Sequence, residues 1–285
     1  MDLSTTQVFQ GDCLDLIKEI PDASIDAVVS DPPYGYLKHR LDRAFDEDAL
    51  FAEFKRILKP AGAIVLFGRG VPFFRWGVKL DALGFAFKES ICWDKGRTSS
   101  PTRVLQRVHE DVFIFGGKGF SVRKCHVPYA EVRTAHFEPE KMKRDVQHLA
   151  ASLKHPDRLK EAFDFLAGAP LRYRSESVNF SHTVQGGIKM ADRGLSVLRS
   201  MQCGFVESDL IRVLRESKTM HETQKPVRLM ERLVGIVSDS GAIVLDPFAG
   251  SASTLLACKN TGRVGIGFEI DADYFALASE RLNGF

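Results

Sequence analysis

Short apolar runs alternate with helical spacings over residues 6–116 and again from residue 219 onward, while the stretch 119–218 keeps no such rhythm. Apolar runs separated by amphipathic helices fold as a parallel sheet covered on both faces. The expected fold is therefore α/β, with a doubly wound, mostly parallel sheet. Both arms of the chain build it, 1–118 and 219–285, and a largely helical segment is inserted at 119–218.

In the first arm, Thr6–Gln10 reads as a strand closed by Gly11-Asp12, and Leu14, Leu16, Ile17 and Ile20 as a short helix ended by Pro21. Ile25–Ser30 is a buried strand. Phe51, Phe54, Ile57 and Leu58 fall at helical spacing, and Lys59-Pro60-Ala61-Gly62 stops that helix before a second buried strand, Ala63–Gly68. A helix from about Phe73 to Leu83 and strands near Phe85–Trp93 and Asp111–Phe115 follow. In the second arm a helix spans Val227 to Val237 behind Pro226. Strands Ala242–Leu245 and Val264–Phe268 flank a helix opened by Asp246-Pro247-Phe248-Ala249-Gly250-Ser251, and a last helix runs from about Asp271 to Leu282.

The formal net charge of +2 hides a regional sorting, since 119–218 carries 17 Lys+Arg against 12 Asp+Glu. A basic segment beside a near-neutral remainder points to a polyanionic partner. No apolar run approaches the ~18 residues that a bilayer span requires. The start, Met1-Asp2-Leu3-Ser4, lacks a basic region followed by an apolar core, so no leader is expected. Cys13, Cys92, Cys125, Cys203 and Cys258 are odd in number and never spaced Cys-x-x-Cys. That favours a reducing, cytoplasmic location, without disulfides or zinc. Cys125-His126 has no second pair at ligand spacing, so no metal is expected.

Two stretches carry chemistry. The first is Ser30-Asp31-Pro32-Pro33-Tyr34-Gly35. Neither proline can donate to a sheet ladder, so the strand stops at Asp31 and a stiff loop follows at its carboxyl end. Open α/β sheets place their ligands there. The loop offers a carboxylate, a main-chain carbonyl and an aromatic face; read alone, it could equally be a surface turn. The second is the strand–turn–helix–strand unit 242–282, in which Glu269 lies nineteen residues after Gly250. At that spacing a nucleoside site sets an acid on ribose hydroxyls. A nicotinamide site would need Gly-x-Gly-x-x-Gly to approach a pyrophosphate, but Ser251-Ala252-Ser253 follows Gly250. Phe248 and Ile270 can sandwich a base, and Asp12, Asp31 and Glu269 suit a cationic ligand. S-adenosylmethionine (SAM) is a phosphate-free, cationic nucleoside and meets these conditions.

With those residues in view, the chain resembles the β-class DNA amino-methyltransferases. Three stretches carry the likeness in order: Ser30-Asp31-Pro32-Pro33-Tyr34-Gly35, His221-Glu222-Thr223-Gln224-Lys225-Pro226, and Asp246-Pro247-Phe248-Ala249-Gly250-Ser251. Gly11-Asp12, Trp93-Asp94-Lys95 and Arg107-Val108-His109-Glu110 support it. The resemblance implies a Rossmann-like SAM-dependent methyltransferase fold with circularly permuted motif order, and 119–218 as target-recognition region. It implies Asp31, Pro32, Pro33 and Tyr34 as the catalytic loop. It implies that SAM is held by Asp12, Cys13, Asp31, Asp246, Phe248, Gly250, Ser251, Ser253, Glu269 and Ile270, with Thr223, Gln224 and Lys225 closing over its methionine end. Candidate DNA contacts are Lys38, His39, Arg40, Arg97, Arg103, Arg107, Arg172, Arg174 and Arg193. Two departures stand out. Glu222 replaces the usual proline, and Ala252 replaces a usual glycine, where a helix start is expected to need no positive φ.

The implied reaction is methyl transfer from SAM to the N6 amine of an adenine flipped out of duplex DNA. Asp31 and the Pro32 carbonyl accept the amine hydrogens while Tyr34 stacks on the base. N4-cytosine transfer is the nearest alternative, although serine more often stands in place of Asp31 there. RNA or protein amine methylation is a weaker one, because glutamine-modifying relatives usually show asparagine before the prolines. A DNA-binding regulator on an inactive methyltransferase fold is the alternative of another class. The resemblance also raises a homodimer, a cognate restriction endonuclease, and a bacterial or phage-encoded protein on the nucleoid, with no membrane partner.

Overall fold

The computed structural model describes residues 1–35, 42–96, 104–105, 107–135, 139–166, 190–215 and 224–284. Two compact units emerge, Met1–Cys125 with Ser208–Phe285, and His126–Glu207.

The larger unit begins with β1 (Gln7–Gln10), α1 (Cys13–Leu16) and a single 3₁₀ turn, then β2 (Ile25–Ser30), α2 (Glu47–Ile57) and β3 (Leu58–Gly68). It continues through α3 (Gly70–Ala82), β4 (Ala86–Asp94) and β5 (His109–Gly116). The smaller unit holds β6 (His126–Val127), α4 (Tyr129–Ala135), α5 (Pro139–Leu153), α6 (Pro156–Leu166), α7 (Met190–Cys203) and β7 (Phe205–Val206). The chain then returns to the larger unit as β8 (Leu210–Arg212), α8 (Val227–Val237), β9 (Ile243–Asp246), α9 (Ser253–Asn260), β10 (Val264–Glu269) and α10 (Ala272–Asn283).

The eight-stranded sheet runs β1-β10-β9-β2-β3-β5-β4-β8. β1, β10, β9, β2 and β3 are mutually parallel, and β4 is parallel to β8. β5 alone opposes its neighbours β3 and β4. Ala27–Val29 and Ile64–Phe67 are wholly buried because helices cover both faces, which is why these strands read as unbroken apolar runs. One core packs Phe51, Phe54, Phe73 and Trp76 beneath α2 and α3. The other packs Ile91, Trp93, Leu229 and Leu233 beneath α8. Both buried indoles are satisfied, Trp76 by Glu47 at 2.7 Å and Trp93 by the Val213 carbonyl at 2.8 Å. Strand order reverses between β9 and β2, the crevice where such sheets bind ligands.

Three details correct the sequence reading. Lys59 to Gly62 do not separate helix from strand; β3 starts at Leu58 and takes them up as a register shift, Ile25 facing Leu58 and Ala27 facing Ala63. The insertion is narrower than 119–218. Phe120 is buried in the α8 core, Arg123 donates to the Val237 carbonyl and pairs with Asp239, and β8 extends the sheet beside β4. Third, the basic excess shrinks with the narrower boundaries, since 126–207 holds 12 Lys+Arg against 10 Asp+Glu.

Within the smaller unit Asp145 accepts from the Tyr129 hydroxyl (2.7 Å) and from Arg133 (3.0 Å), and the Arg133 guanidinium lies over the Tyr129 and Phe205 rings. Among the described residues no helix is long and apolar enough to cross a membrane.

Candidate active site

The Asp31 loop and the Asp246 loop follow adjacent parallel strands, β2 and β9, and so emerge side by side. The Ser30 hydroxyl donates to Asp246 Oδ1 (2.7 Å), tying together two motifs 216 residues apart. Asp246 also accepts from the Thr254 hydroxyl (2.6 Å) and the Phe248 amide (3.1 Å). Burial pushes its carboxyl up to about 6, despite those three donors.

A cavity of about 400 Å³ opens at this crevice, entirely within the larger unit. One wall is the loop after β2, Asp31 to Tyr34. Asp12 and Cys13 close a second side, where Asp12 caps α1 by accepting from the Leu14 amide (2.8 Å) and burial pushes the Cys13 thiol up to about 12. The turn after β9 contributes Asp246, Phe248, Gly250, Ser251 and Ser253. Glu269 and Ile270 complete the floor, with Gln224 and Lys225 opposite. Of the expected cofactor residues, only Thr223 lies outside the described residues.

Glu269 spans the turn. Its Oε2 accepts from the Gly250 amide and its Oε1 from the Asp271 amide, each at 2.8 Å, and burial raises its carboxyl pKa. Ala252 corrects the sequence reading: it caps α9 at φ 60°, ψ 30°, in the left-handed region, with its methyl fully buried. The turn must reverse there to bring Gly250 to Glu269, so the position does demand a positive φ.

Asp31 is engaged at both oxygens. The Tyr34 hydroxyl donates to Oδ1 and the Lys225 ammonium to Oδ2. The Tyr34 ring tilts against Trp76 at 6.0 Å, and burial, then the Asp31 charge, hold its hydroxyl well above the usual tyrosine range. Lys225 Nζ also lies 3.2 Å from Glu110 Oε2, and Glu110 Oε1 is 3.2 Å from Lys95 Nζ. Burial pulls the Lys225 ammonium's pKa down, but Asp31 and Glu110 outweigh it and the net direction is up. Burial likewise pushes Glu110 up, but the two lysines outweigh it and the net direction is down.

Glu110 and Lys95 carry no role expected from the sequence, although both lie in motifs it shows. Two further residues belong to the site without a sequence motif to mark them: Phe45 lines the cavity and packs 5.2 Å from Phe248, and Arg281 donates to the Ser251 carbonyl (2.8 Å) and the Ser253 hydroxyl (3.1 Å). The Asp46 N-cap just after Phe45 was the local signal. Lys38, His39, Arg40, Arg97, Arg103, Arg172 and Arg174 lie outside the described residues, as does Glu222. Arg107 is partly buried, and Arg193 falls on α7 with its side chain outside the description. Cys92, His109 and Asp111 bring possible ligand atoms within 4.8 Å of one another on β4 and β5, apart from the cavity lining.

A chemical reading follows from the lining. Apolar faces at Phe248 and Ile270, amides pinned by Glu269 and several carboxylates fit a cationic nucleoside and disfavour a pyrophosphate.

The family model described as DNA methylase, which spans N6 and N4 amino-methylases, matches residues 25–280. The chain is 27% identical to the type II methyltransferase M.HpaI of Haemophilus parainfluenzae over 94% of its own length and 73% of that protein's. The crystal structure of the M1.HpyAVI–SAM complex superposes with a TM-score of 0.58 at 21% identity, covering 97% of this chain and all of that one. The cytosine-N4-specific PvuII DNA methyltransferase gives 0.56 at 18% identity over 97% of this chain and 87% of that one. These likenesses agree with the α/β fold and its mostly parallel sheet.

Proposed function

Because the chain belongs to the N6/N4 DNA methylase family, and is thus a SAM-dependent DNA methyltransferase, we propose that it methylates the N6 amine of an adenine flipped out of duplex DNA. The observation that carries the reading is Asp31: a carboxylate, where a hydroxyl would suit cytosine N4 chemistry, stands at the end of β2 on the wall of the cofactor cavity.

An exocyclic amine is a poor nucleophile because its lone pair is delocalised into the ring. The Asp31 carboxylate and the Pro32 carbonyl accept its two N–H groups, draw the nitrogen towards sp³ and stabilise the positive charge that develops there. SAM, when bound, supplies an electrophilic methyl on a sulfonium that needs no acid to leave. Pro32 and Pro33 keep the loop stiff, so both acceptors hold their positions. Tyr34 offers its face to the base, a contact worth about 1–3 kcal/mol. A base inside the duplex cannot reach this geometry, so extrusion precedes transfer at a cost of a few kcal/mol. Glu269 takes the ribose hydroxyls, and Phe248 and Ile270 flank the cofactor's base.

The unit 126–207 is assigned to target recognition. Its small excess of basic residues makes phosphate attraction a lesser part of that role than shape and base contact. A cytoplasmic location on the nucleoid follows from the substrate. A two-fold dimer and a cognate endonuclease stay with the resemblance alone.

The test is to incubate the chain with labelled SAM and DNA from a host lacking it, then map the modified bases. N6-methyladenine at one sequence context is expected, lost in Asp31→Ala while DNA binding persists. Recovery of N4-methylcytosine overturns the adenine assignment, and undiminished turnover in Asp31→Ala overturns the mechanism.

A further inference from the structure

Glu110 and Lys95 have no task in the transfer just described, and a contact with SAM's methionine end, which the resemblance implies for Lys225, leaves that lysine's ion pairs with Asp31 and Glu110 unexplained. The charges alternate, carboxylate Asp31, ammonium Lys225, carboxylate Glu110, ammonium Lys95. Four separate segments bring them together: the end of β2, the approach to α8, β5, and the residue after β4. Lys225 is 8% exposed and Lys95 4%. The Lys225 ammonium lies 4.8 Å from the Phe67 ring centroid and 6.0 Å from that of Trp93. A buried ion pair adds little net stability, and an apolar side chain of the same volume often serves packing as well or better. A chain of four alternating charges aimed at the reactive carboxylate therefore needs a reason beyond the core.

The geometry supplies one. A carboxylate free at both oxygens rotates about Cβ–Cγ and offers a smeared acceptor. A carboxylate gripped at one oxygen aims the other. We propose that Lys225 is a positioning residue for Asp31: its ammonium, held from behind by Glu110 and Lys95, clamps Oδ2 so that Oδ1 alone is presented to the acceptor amine. The proposal rests on the amine-transfer reading above. The Tyr34 hydroxyl on Oδ1 marks where an N–H donor sits, and the incoming amine exchanges one donor for another there. Glu110 and Lys95 act through Lys225, keeping its ammonium from swinging into the cofactor cavity that it also lines.

The clamp has a second effect. Asp31 and Glu110 both contact one ammonium. Take it away and two partly buried carboxylates face each other without it, which favours a proton on the pair. Among the described residues, the other ionisable groups facing this cluster are Tyr34, Asp42, Lys95 and Asp246. Of these only Lys95 is a cation, and it is already placed on the far oxygen of Glu110.

The experiment compares Lys225→Met, Glu110→Gln and Lys225→Met/Glu110→Gln in the full chain. Single-turnover DNA methylation is followed with labelled SAM between about pH 5 and 9, with calorimetric SAM binding and melting alongside. Lys225→Met is expected to cut the neutral-pH rate by about 10²-fold, the scale of losing one preorganised electrostatic contact. Its rate should recover with rising pH, the acid limb moving up by about one pH unit or more, while SAM affinity stays within a few-fold. Adding Glu110→Gln removes the second carboxylate and should bring the limb part of the way back. Glu110→Gln alone keeps the Asp31–Lys225 contact but loosens its anchor, so the neutral-pH rate should fall by a few-fold without an upward move of the limb.

Weakened SAM binding in Lys225→Met with an unmoved limb would make Lys225 a cofactor residue and overturn the proposal. So would a double variant whose limb stays with the single variant's. If Lys225→Met melts early, Glu110→Gln decides: a rate a few-fold down with no upward limb shift supports the clamp, and a native rate or an upward limb shift refutes it. Failure of the native chain to methylate DNA would instead sink the amine-transfer reading.

Discussion

Replacing Asp246 by asparagine is expected to flatten part of the chain's stability–pH profile. The native carboxyl is held at about 6 against an ordinary value of 3.8, burial being the main cause. At about 1.36 kcal/mol per pH unit this difference amounts to about 3 kcal/mol. The sign follows from proton counting. Below about pH 3.8 both folded and unfolded chains carry the proton. Between 3.8 and about 6 the unfolded chain has lost it while the folded chain keeps it, so stability falls as pH rises. Above that window the full cost is present. Asparagine does not titrate, and its Oδ1 can still accept from Ser30 and the Phe248 amide. The Thr254 hydroxyl can turn to accept from Nδ2. The assay is urea unfolding of both chains in steps across pH 4 to 7, reading the difference between them so that other titrations cancel. Asp246→Asn should gain about 3 kcal/mol on the native chain over that range, which at comparable chain lengths is about 2–4 °C of Tm per kcal/mol. Lower SAM affinity should accompany the gain, since Asp246 lines the cavity proposed to take SAM. A difference that stays constant with pH would refute the reasoning.

Further substitutions probe other parts of the site. Tyr34→Phe removes the donor on Asp31 Oδ1 and keeps the ring, so steady-state turnover should stay within a few-fold, whereas Tyr34→Ala should lose about 1–3 kcal/mol of productive base binding; equal effects would argue against stacking. Ala252→Gly relieves about 1–2 kcal/mol of left-handed backbone cost and forfeits about 0.8 kcal/mol of methyl burial, so its melting point should match the native one or slightly exceed it, while Ala252→Val should lower it clearly. Glu269→Gln leaves one of two backbone amides without its carboxylate partner, and calorimetry should show SAM affinity reduced by about tenfold or more.

The strands that build the site were legible because parallel, doubly covered strands must be apolar throughout; Ile25–Ser30 and the β9–β10 pair read off directly. The two loops were legible for the same kind of local reason. Prolines stop a strand, and an acid nineteen residues after a glycine reaches the next strand's end, where it holds the Gly250 amide. Less visible was whatever depends on meeting across the sheet. β8 is three residues long and leaves no periodic trace. Antiparallel β5 looks locally like any buried strand. Glu110 meets Lys225 only because β5 turns that face toward α8, which no local spacing encodes. The positive φ at Ala252 escaped because residue identity argued against it, and only the demand that Gly250 reach Glu269 reveals it.

The chain has two tryptophans, one against Tyr34 and the other under the Lys225 that pairs with Asp31. Trp76 stands 6.0 Å behind the Tyr34 ring, and Trp93 lies 6.0 Å beneath the Lys225 ammonium. Indole emission responds to a nearby phenol and to a nearby cation, so the protein carries its own optical gauge beside Asp31. Replacing either tryptophan by phenylalanine leaves a single emitter, one watching Lys225 and the other watching Tyr34. Stopped-flow fluorescence with DNA would then time the two movements separately, without an added label.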